Sequence, residues 1–230
     1  MTPALEVSGL SFAYDPCRPV LNGVSFAVAA GERVGIAGGN GAGKSTLLWC
    51  ILGLHRRRGD VRLFGKPLTR RSWPKLGVVF QNPEDHLFMP RLVDDLTLPL
   101  RNRGIDDASA TDMALRAMRA LDLEAYRDEP AAHLSLGLRK RAALAAALAT
   151  SPELLLLDEP TAELDNRSSR RLAEHLARLE IPCLVTSHQL DFLQRATERL
   201  IVLIGGSIAA AGPTRQILDD RGLLDRASLI

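Results

Sequence analysis

The apolar residues of the chain follow two patterns, one typical of strands and one typical of helices. Every position of 154–157 and 183–186 is apolar or small, as in parallel strands that are covered on both faces. A helix predicted over 168–179 provides the crossover that joins two parallel strands. Shorter apolar runs predict further strands, at 7–12, 24–28, 33–37 and 76–80.

Between about residues 82 and 150 the pattern changes from strand-like to helix-like. We expect Ser109 to cap a helix that runs through Leu123. We expect Ser135 to cap a second helix that runs through Ala149. The sequence therefore predicts an α/β core into which a helical subdomain is inserted.

Near the C-terminus, apolar runs at 200–204 and 207–210 flank Gly205 and Gly206, which is a hairpin signal. We expect a short helix after Pro213. The chain has 230 residues and is 46% hydrophobic, which is enough for a large buried core. We therefore predict a single domain over residues 1–230, with the helical subdomain at about 82–150.

Charge and cysteine content narrow the class of protein. The formal net charge is only +2, which gives no sign of a dedicated nucleic-acid surface. The three cysteines show neither paired spacing nor a metal-binding pattern, so we expect reduced thiols. We expect no secretory signal and no membrane span, since no stretch reaches the roughly 18 apolar residues that cross a bilayer.

The strand predicted over 33–37 runs into a phosphate-binding loop (P-loop) of the form G-x-x-x-x-G-K-[ST]. Its glycines let backbone N–H groups approach phosphate oxygens, and the following helix points its positive end at the same anion. We expect Lys44 to reach the β- and γ-phosphates and Ser45 to offer a hydroxyl to Mg²⁺. The predicted nucleotide-binding residues of the loop are Gly38, Gly39, Asn40, Gly41, Ala42, Gly43, Lys44, Ser45 and Thr46.

Two carboxylates follow the first all-apolar strand, at the end where α/β sheets bind ligands. We expect Asp158 to bind Mg²⁺ and Glu159 to polarise the water that attacks the γ-phosphate. Gln81 is a candidate contact to Mg²⁺ or to that water, although it also fits an ordinary polar turn. His188 is a candidate γ-phosphate ligand, although a lone histidine is more often structural.

Two further features leave alternatives open. Tyr14 is a candidate for stacking on an adenine ring. The basic run from His55 to Arg58 fits an anionic lipid or a nucleic acid, but it is short, and a solvated loop is the favoured interpretation.

Taken in order, these motifs resemble those of the ATP-binding subunits of ABC transporters over about residues 4–215. The resemblance implies the P-loop NTPase ABC-ATPase fold, with a mostly parallel core sheet, an antiparallel β subdomain and an inserted helical subdomain. It also implies Mg²⁺-dependent ATP hydrolysis coupled to transport. Beside the P-loop and the Asp158-Glu159 pair, the matching residues are Tyr14 (A-loop), Gln81 (Q-loop), Ser135, Leu136 and Gly137 (signature), Asp165 (D-loop) and His188 (switch histidine).

The run from Phe80 to Phe88 resembles that of energy-coupling-factor (ECF) transporter ATPases, and the signature resembles their cobalt and nickel branch. This implies a peripheral subunit at the cytoplasmic face of the cell membrane. It would dock on an integral-membrane T subunit, which moves a substrate-capturing S subunit. We expect residues 82–88, with Leu87 and Phe88, to contact the T subunit. Cobalt is the first expected cargo, nickel the second and a vitamin the third, with no nucleic-acid partner.

The resemblance further implies a pair of ATPase subunits that face each other head to tail, which we expect to be a homodimer. Each ATP would lie between the catalytic residues of one subunit, namely Lys44, Gln81, Glu159 and His188, and the signature of the other. Leu136 replaces a signature glycine, and Leu138 stands where Gln or Glu is usual, so the strength of closure is left open. Gly39 stands where Pro or Ser is common, which predicts a looser loop.

Two other functions are weighed against this one. A soluble mechanical ATPase acting on DNA or ribosomes is disfavoured, because the chain has no sustained heptads, a single cassette and near-neutral charge. A regulatory subunit with little turnover is motivated by the altered signature. The retained Glu159 and His188 oppose it.

Overall fold

The computed structural model describes residues 2–230, and its strands form two sheets. The strands are β1 (Leu5–Asp15), β2 (Arg18–Val28), β3 (Arg33–Ala37), β4 (Arg58–Leu63), β5 (Lys66–Pro67), β6 (Leu76–Val79), β7 (Leu154–Asp158), β8 (Cys183–Thr186), β9 (Arg199–Ile204) and β10 (Ser207–Pro213). The larger sheet has the order β10-β9-β3-β8-β7-β6 and is parallel except between β9 and β10. The smaller sheet is antiparallel, with the order β2-β1-β4-β5.

Helices cover the larger sheet and fill the long connection between β6 and β7. They are α1 (Lys44–Leu52), α2 (Leu92–Arg101), α3 (Asp107–Ala120), α4 (Leu136–Ala149), α5 (Asn166–Ala177), α6 (Leu190–Ala196), α7 (Thr214–Asp219) and α8 (Arg221–Arg226). Short 3₁₀ segments lie at Arg70–Lys75, Pro83–Asp85, Glu124–Tyr126 and Ala131–His133. The fold class expected from the sequence is confirmed, including the helices inserted after β6.

The larger sheet separates two hydrophobic cores, and β7 contributes to both. Leu155 and Leu157 pack into the core shared with the helices that follow β6. Leu154 and Leu156 pack into the core shared with α1 and the smaller sheet. Because successive side chains of a strand point to opposite faces, an all-apolar strand requires cover on both sides. The double cover predicted for this strand is confirmed.

The two predicted helix caps between β6 and β7 have different outcomes. Ser135 caps α4, where its Oγ accepts a hydrogen bond from the N–H of Leu138 at 3.4 Å. The prediction for Ser109 is wrong, because the side chain of Asp106 caps α3 and accepts the N–H of Ser109 at 3.0 Å. A carboxylate three residues earlier satisfies the free amides of the first turn, so the helix begins before the serine.

Other element boundaries also differ from the sequence prediction. The crossover α5 begins at Asn166, because Asp165 and not Ser168 precedes its first turn. Two short helices, α7 and α8, follow Pro213 in place of one. The hairpin of β9 and β10 is confirmed, with φ of +55° at Gly205 and +78° at Gly206.

The structure also bears on membrane and thiol chemistry. Among residues 2–230, no helix has the length and apolar character needed to cross a bilayer. Cys50 and Cys183 are buried, Cys17 is exposed, and all three are free thiols. Burial raises the pKa of Cys183 to about 12, so this thiol stays protonated.

Candidate active site

The P-loop connects β3 to α1 at the end of the parallel sheet that carries the other candidate residues. Its glycines are required by local geometry. Gly41 and Gly43 have φ of +78° and +99°, and a Cβ on Gly38 would lie 2.7 Å from the carbonyl oxygen of Leu203. Side chains at these positions would clash or strain the backbone. These glycines therefore allow the tight backbone turn that leads from β3 into the first turn of α1.

Lys44 is buried and fully engaged at the start of α1. Its Nζ donates to the carbonyl oxygens of Gly38 at 2.9 Å and Gly39 at 3.2 Å. It also lies 3.1 Å from Oε1 of Glu159, and both side chains are under a tenth exposed. An ammonium in this position would exchange these neutral carbonyls for phosphate oxygens when a nucleotide binds. The geometry thus fits the role predicted for Lys44 in phosphate binding.

Asp158 ends β7 and faces the first turn of α1. Its Oδ1 accepts hydrogen bonds from Ser45 Oγ at 2.9 Å and Thr186 Oγ1 at 2.8 Å. Burial raises the pKa of this carboxyl, against the opposing effect of these two hydrogen bonds. A hydroxyl and a buried carboxylate are oxygen ligands that suit Mg²⁺, whose charge would offset the cost of burying the carboxylate. The residues present therefore fit the predicted magnesium site.

Glu159 lies just beyond β7 in a strained backbone conformation. Its φ is +42°, a region that few non-glycine residues adopt. Its amide donates to the hydroxyl and the carbonyl of Thr186, which fixes that conformation. Oε2 lies 3.0 Å from Nδ1 of His188, whose side chain is about half exposed. The structure thus brings Glu159 and His188 together, as the sequence prediction requires.

Tyr14 lies beside the C-terminal end of the P-loop, next to the first turn of α1. Its hydroxyl is 3.4 Å from Thr46 Oγ1 and 3.3 Å from His55 Nε2, while the residue as a whole is 61% exposed. An exposed aromatic face beside the loop is available for stacking on a base. A cavity of about 390 Å³ joins this end to the catalytic residues; it is lined by Tyr14, Val20, Asn40, Gly41, Ala42, Gly43, Lys44, Ser45, Thr46, Gln81, Glu159, Ala162 and His188.

Gln81 also lines this cavity, but its position depends on residues that sequence reasoning missed. Its carbonyl accepts a hydrogen bond from the buried ammonium of Lys140, and the neighbouring Arg139 pairs with Glu84 at 3.2 Å. Burial lowers the pKa of Lys140. The available sequence signal was the pair of consecutive basic residues, Arg139 and Lys140, near the start of α4. Their side chains contact two nearby residues of the segment after β6, Glu84 and Gln81. The start of α4 therefore holds residues 81–84.

His86 fixes the same segment from the other side. Its Nε2 accepts the backbone N–H of Phe80 at 2.9 Å, and the two rings stack with centroids 5.5 Å apart. Burial lowers the pKa of this histidine, so the unprotonated ring that accepts the hydrogen bond is favoured. His86 therefore has a structural role in holding this segment.

Two of the signature residues, Ser135 and Gly137, do not line either cavity described at the P-loop, whereas Leu136 lines one that reaches Ser45. Ser135 is exposed, and Gly137 packs so closely on α5 that a Cβ there would lie 2.9 Å from Ser168 Oγ. Leu136 lines a second cavity of about 770 Å³, which also includes Ser45 and Asp158. Within residues 2–230, neither Ser135 nor Gly137 lines the cavity that holds the P-loop.

Asp165 is likewise separate from the phosphate loop. It caps α5 by accepting hydrogen bonds from the N–H of Ser168 at 2.8 Å and from its hydroxyl at 3.0 Å. These hydrogen bonds, that from the amide first, hold the pKa of Asp165 below its usual value. The structure therefore gives Asp165 a capping contact, and its predicted D-loop role stays a prediction.

The C-terminal segment contacts the P-loop at Gly39. The N–H of Gly39 donates to the carbonyl of Ala227 at 2.9 Å. A Cβ on Gly39 would lie 3.0 Å from that oxygen and 3.1 Å from Cβ of Ser228. The residues just after α8 therefore pack against Gly39, and the looser loop expected for this glycine stays a prediction.

Comparison with known proteins gives one consistent result. The sequence profile of the ABC transporter family matches residues 21–162. Energy-coupling factor transporter ATP-binding protein EcfA of Carboxydothermus hydrogenoformans is 37% identical, over 100% of this chain and 87% of the relative. Nickel import ATP-binding protein NikO of Rhodobacter capsulatus is 39% identical, over 100% and 97%. The structure of cbiO1 from Clostridium perfringens, part of the ABC transporter complex cbiONQ, superimposes with a TM-score of 0.88 at 26% identity, over 100% and 96%.

Proposed function

Because this chain belongs to the ABC transporter family, whose ATP-binding domain hydrolyses ATP, we propose that it is the ATPase subunit of an ECF-type importer for a transition-metal cation. The observation that carries the proposal is the pair of carboxylates at the end of β7. Asp158 contacts Ser45 and Glu159 contacts Lys44, so both carboxylates lie against the first turn of α1.

The proposed reaction is attack of water on the γ-phosphate of ATP. Lys44 leaves Glu159 and the loop carbonyls to bind the terminal phosphates, which frees the Glu159 carboxylate to accept a proton from the water. His188 orients Glu159 through the contact at Oε2. Mg²⁺, held by Ser45 and Asp158, would neutralise charge on the phosphates.

The second half of the site comes from a second copy of the chain. Ser135 is exposed at the N-terminus of α4, where free amides and the helix dipole favour an anion. In the proposed head-to-tail homodimer, this end of α4 contacts the terminal phosphate bound by the partner's P-loop. ATP then shifts the equilibrium toward the closed dimer by as much as it binds the closed dimer more tightly than the open form.

Residues 82–88 are the proposed contact for the membrane T subunit, but Leu87 and Phe88 differ in role. Phe88 is 67% exposed, and its amide is held by Oδ1 of Asp95 at 2.8 Å. Leu87 is buried in the helical core. Substituting both residues would therefore confuse docking with stability. Phe88→Ala alone is the docking variant, and we expect it to reduce transport while the isolated chain still hydrolyses ATP.

A transition-metal cation is the proposed cargo, with cobalt first and nickel second. The cobalt and nickel form of the signature supports this class, as does the 39% identity to a nickel import ATP-binding protein. A vitamin is the alternative cargo, and an S subunit that captures the cargo is part of the proposal. The chain itself would lie at the cytoplasmic face of the membrane, held there by the T subunit.

The test is ATP-driven uptake by the assembled complex. The chain is purified with the membrane proteins that accompany it and reconstituted in vesicles, and uptake of radioactive cobalt and nickel is measured. We expect metal uptake with ATP that is lost in the complex carrying Glu159→Gln. Uptake of neither metal by a complex that hydrolyses ATP would overturn the cargo assignment. Undiminished turnover in the variant would overturn the role of Glu159.

A further inference from the structure

We propose that the surface around the C-terminal end of α1, formed by residues 54–58 and 70–73, binds the anionic headgroups of a lipid bilayer. We call this the arginine surface. The inference rests on the proposed function only in placing the chain beside a membrane, since the arginines of this surface do not, in the described chain, line the cavity that holds the P-loop. The sequence alone favoured a solvated loop for the basic run from His55 to Arg58. The inference differs because the fold adds a second basic segment and a tryptophan.

The first basic segment lacks acidic partners. Arg56, Arg57 and Arg58 form no ion pair with a carboxylate in the described chain, and Nε of Arg57 is buried without a hydrogen-bond partner there. All three line a cavity of about 800 Å³ whose lining contains no carboxylate. Guanidinium groups bind phosphate in a bidentate manner, so a concave site with three of them fits a phosphate headgroup.

The second basic segment packs against the C-terminal end of α1, which the first basic segment follows in the chain. Nε1 of Trp73 donates to the carbonyl of Leu52 at 3.1 Å, and the guanidinium of Arg70 lies 5.7 Å from the ring centroid. Arg70 and Arg71 are exposed and, in the part of the chain described, form no ion pair with a carboxylate. The fold therefore gathers five arginines from two separate segments around one helix end.

Exposed apolar side chains accompany these charges. Leu54 is 50% exposed and Trp73 is 37% exposed. Tryptophan is enriched where a membrane meets water, because one end of its ring system is apolar and its N–H is polar. A leucine, a tryptophan and several arginines on one surface are the combination that binds the interface of an anionic leaflet.

The position of the arginine surface and the charge of its residues favour contact with a lipid bilayer. Leu54 lines the same cavity as Asn82 and Pro83, so the arginine surface continues from the proposed docking segment. The net charge of the chain is only +2. Many other exposed arginines are neutralised locally, for example Arg62 by Asp60 at 2.7 Å and Arg116 by Asp112 at 2.8 Å. Unpaired arginines also lie elsewhere in residues 2–230, for example Arg18, Arg178 and Arg215, but the arginine surface holds three consecutive ones together with an exposed tryptophan.

The first experiment measures binding of the purified chain to vesicles in the absence of any membrane partner. Vesicles of phosphatidylcholine alone are compared with vesicles containing phosphatidylglycerol. We expect binding only to the anionic vesicles, weakened by added salt. Replacing Arg56, Arg57 and Arg58 together by Ala should weaken it roughly 100-fold, since each arginine near an anionic leaflet contributes about fivefold. Soluble glycerol phosphate is a third arm, which separates a free phosphate ligand from a bilayer.

The matched control removes the same charge from another basic face. Arg167, Arg170 and Arg171 line a shallow cavity on α5, and two of them are paired, with Asp191 and Asp122. Replacing these three by Ala should leave vesicle binding within about twofold of the parent. Equal losses in both triple variants would mean that only net charge matters and would overturn the proposal. So would tight binding of glycerol phosphate without binding to vesicles.

A second measurement needs no loss of function. The chain has two tryptophans, so Trp49→Phe leaves Trp73 as the only one. We expect the fluorescence of Trp73 to shift to shorter wavelength with anionic vesicles and to stay unchanged with neutral ones. An unchanged spectrum while the protein binds would place the lipid contact elsewhere and overturn the proposal. If the arginine triple variant binds vesicles like the parent but fails to co-purify with the membrane subunit, the surface serves a protein partner, and the proposal is wrong.

Vesicle binding and ATP hydrolysis are measured separately, so the lipid-binding proposal and the proposed function can be rejected independently of each other. ATP hydrolysis by the arginine triple variant should match the parent, which also shows that it is folded. Vesicle binding that persists in a chain unable to hydrolyse ATP would leave the lipid surface standing without the importer.

Discussion

The end of β7 and the N-terminus of α4 carry the two candidate halves of an ATP site, and they differ in how their polar groups are satisfied. At the end of β7, Lys44, Asp158 and Glu159 are buried, and each contacts another residue of the site. At the start of α4, Ser135 is exposed and, within residues 2–230, its side chain forms hydrogen bonds only with its own helix. The first half is assembled within one chain, whereas the second half, in the proposed dimer, would contact the nucleotide bound by the partner. This contrast is what a site shared between two copies requires.

The largest effect is expected at the assembled half. Glu159→Gln keeps the shape of the side chain but removes the proton acceptor, so ATP hydrolysis should fall about 10²–10⁴-fold. ATP affinity should stay close to that of the parent, because Lys44 and the loop amides remain. Phosphate release and fluorescent-nucleotide binding check the two parts. Hydrolysis at the parent rate would remove Glu159 from the reaction.

Lys44→Ala tests the same half at the binding step. Loss of a charge-assisted hydrogen bond of about 1.5–3 kcal/mol should weaken ATP affinity roughly 10–150-fold. Isothermal titration with ATP measures this, and Arg139→Ala, at an exposed ion pair, serves as the control. Unchanged affinity in Lys44→Ala would contradict the assignment of the loop as a phosphate cradle.

Ser135→Arg tests the other half. A large side chain at the exposed end of α4 should reduce ATP hydrolysis at least about tenfold, through the lost hydrogen bond and the blocked approach of a second copy. ATP affinity of the isolated chain should stay within about twofold. A fall in ATP affinity equal to that of Lys44→Ala would mean that both halves act on one nucleotide within the same chain.

Lys140→Met probes the connection between the halves, because Lys140 lies on α4 and holds the carbonyl of Gln81. We expect about a fivefold loss of ATP hydrolysis in the assembled complex, because the variant loses a hydrogen bond worth about 1 kcal/mol that positions Gln81. Arg139→Met is the matched control, and its effect should be smaller, since its pair with Glu84 is more exposed. Equal effects of the two variants would count against Lys140 as the main connection.

The smallest effect concerns pH and His86. Burial lowers the pKa of His86 from its usual value of 6.5, so the unfolded chain binds this proton more readily than the folded chain. Its contribution to stability is therefore complete above pH 6.5 and is lost as pH falls below that value. The free energy of unfolding of the parent should fall between about pH 7.5 and about pH 5.5. In His86→Gln this decrease should be smaller, by up to about 1 kcal/mol. Urea unfolding at the two pH values measures the difference, and identical pH dependence would contradict it.

The sequence predicted the sheet core and the residues that meet at the P-loop because both follow from local patterns. All-apolar strands such as Leu154–Asp158 indicate cover on both faces, and residues after parallel strands meet at one edge of the sheet. Asp158, Glu159 and His188 could be placed together for that reason. Ser135 was predictable as a cap because a serine before an apolar helix pattern satisfies free amides.

What the sequence missed depends on contacts between distant segments or on competing local signals. Pro99 obscures α2, although Leu92, Leu96 and Leu100 recur at helical spacing and are all fully buried. The contact of Lys140 with Gln81 joins residues 59 positions apart, so the consecutive basic residues Arg139 and Lys140 indicate that a partner exists but do not identify it. The difference between buried Leu87 and exposed Phe88 is set by the packing of the helices after β6 and has no signature of its own.

The most direct test of a site shared between two chains is the nucleotide dependence of mass in solution. Light scattering on Glu159→Gln should give the 25.0 kDa monomer with ADP and a dimer of about 50 kDa with ATP and Mg²⁺. Adding Ser135→Arg to this variant should abolish the dimer while ATP stays bound. Equal masses with ATP and ADP, or a dimer that tolerates Ser135→Arg, would contradict the claim that the signature contacts the partner's terminal phosphate.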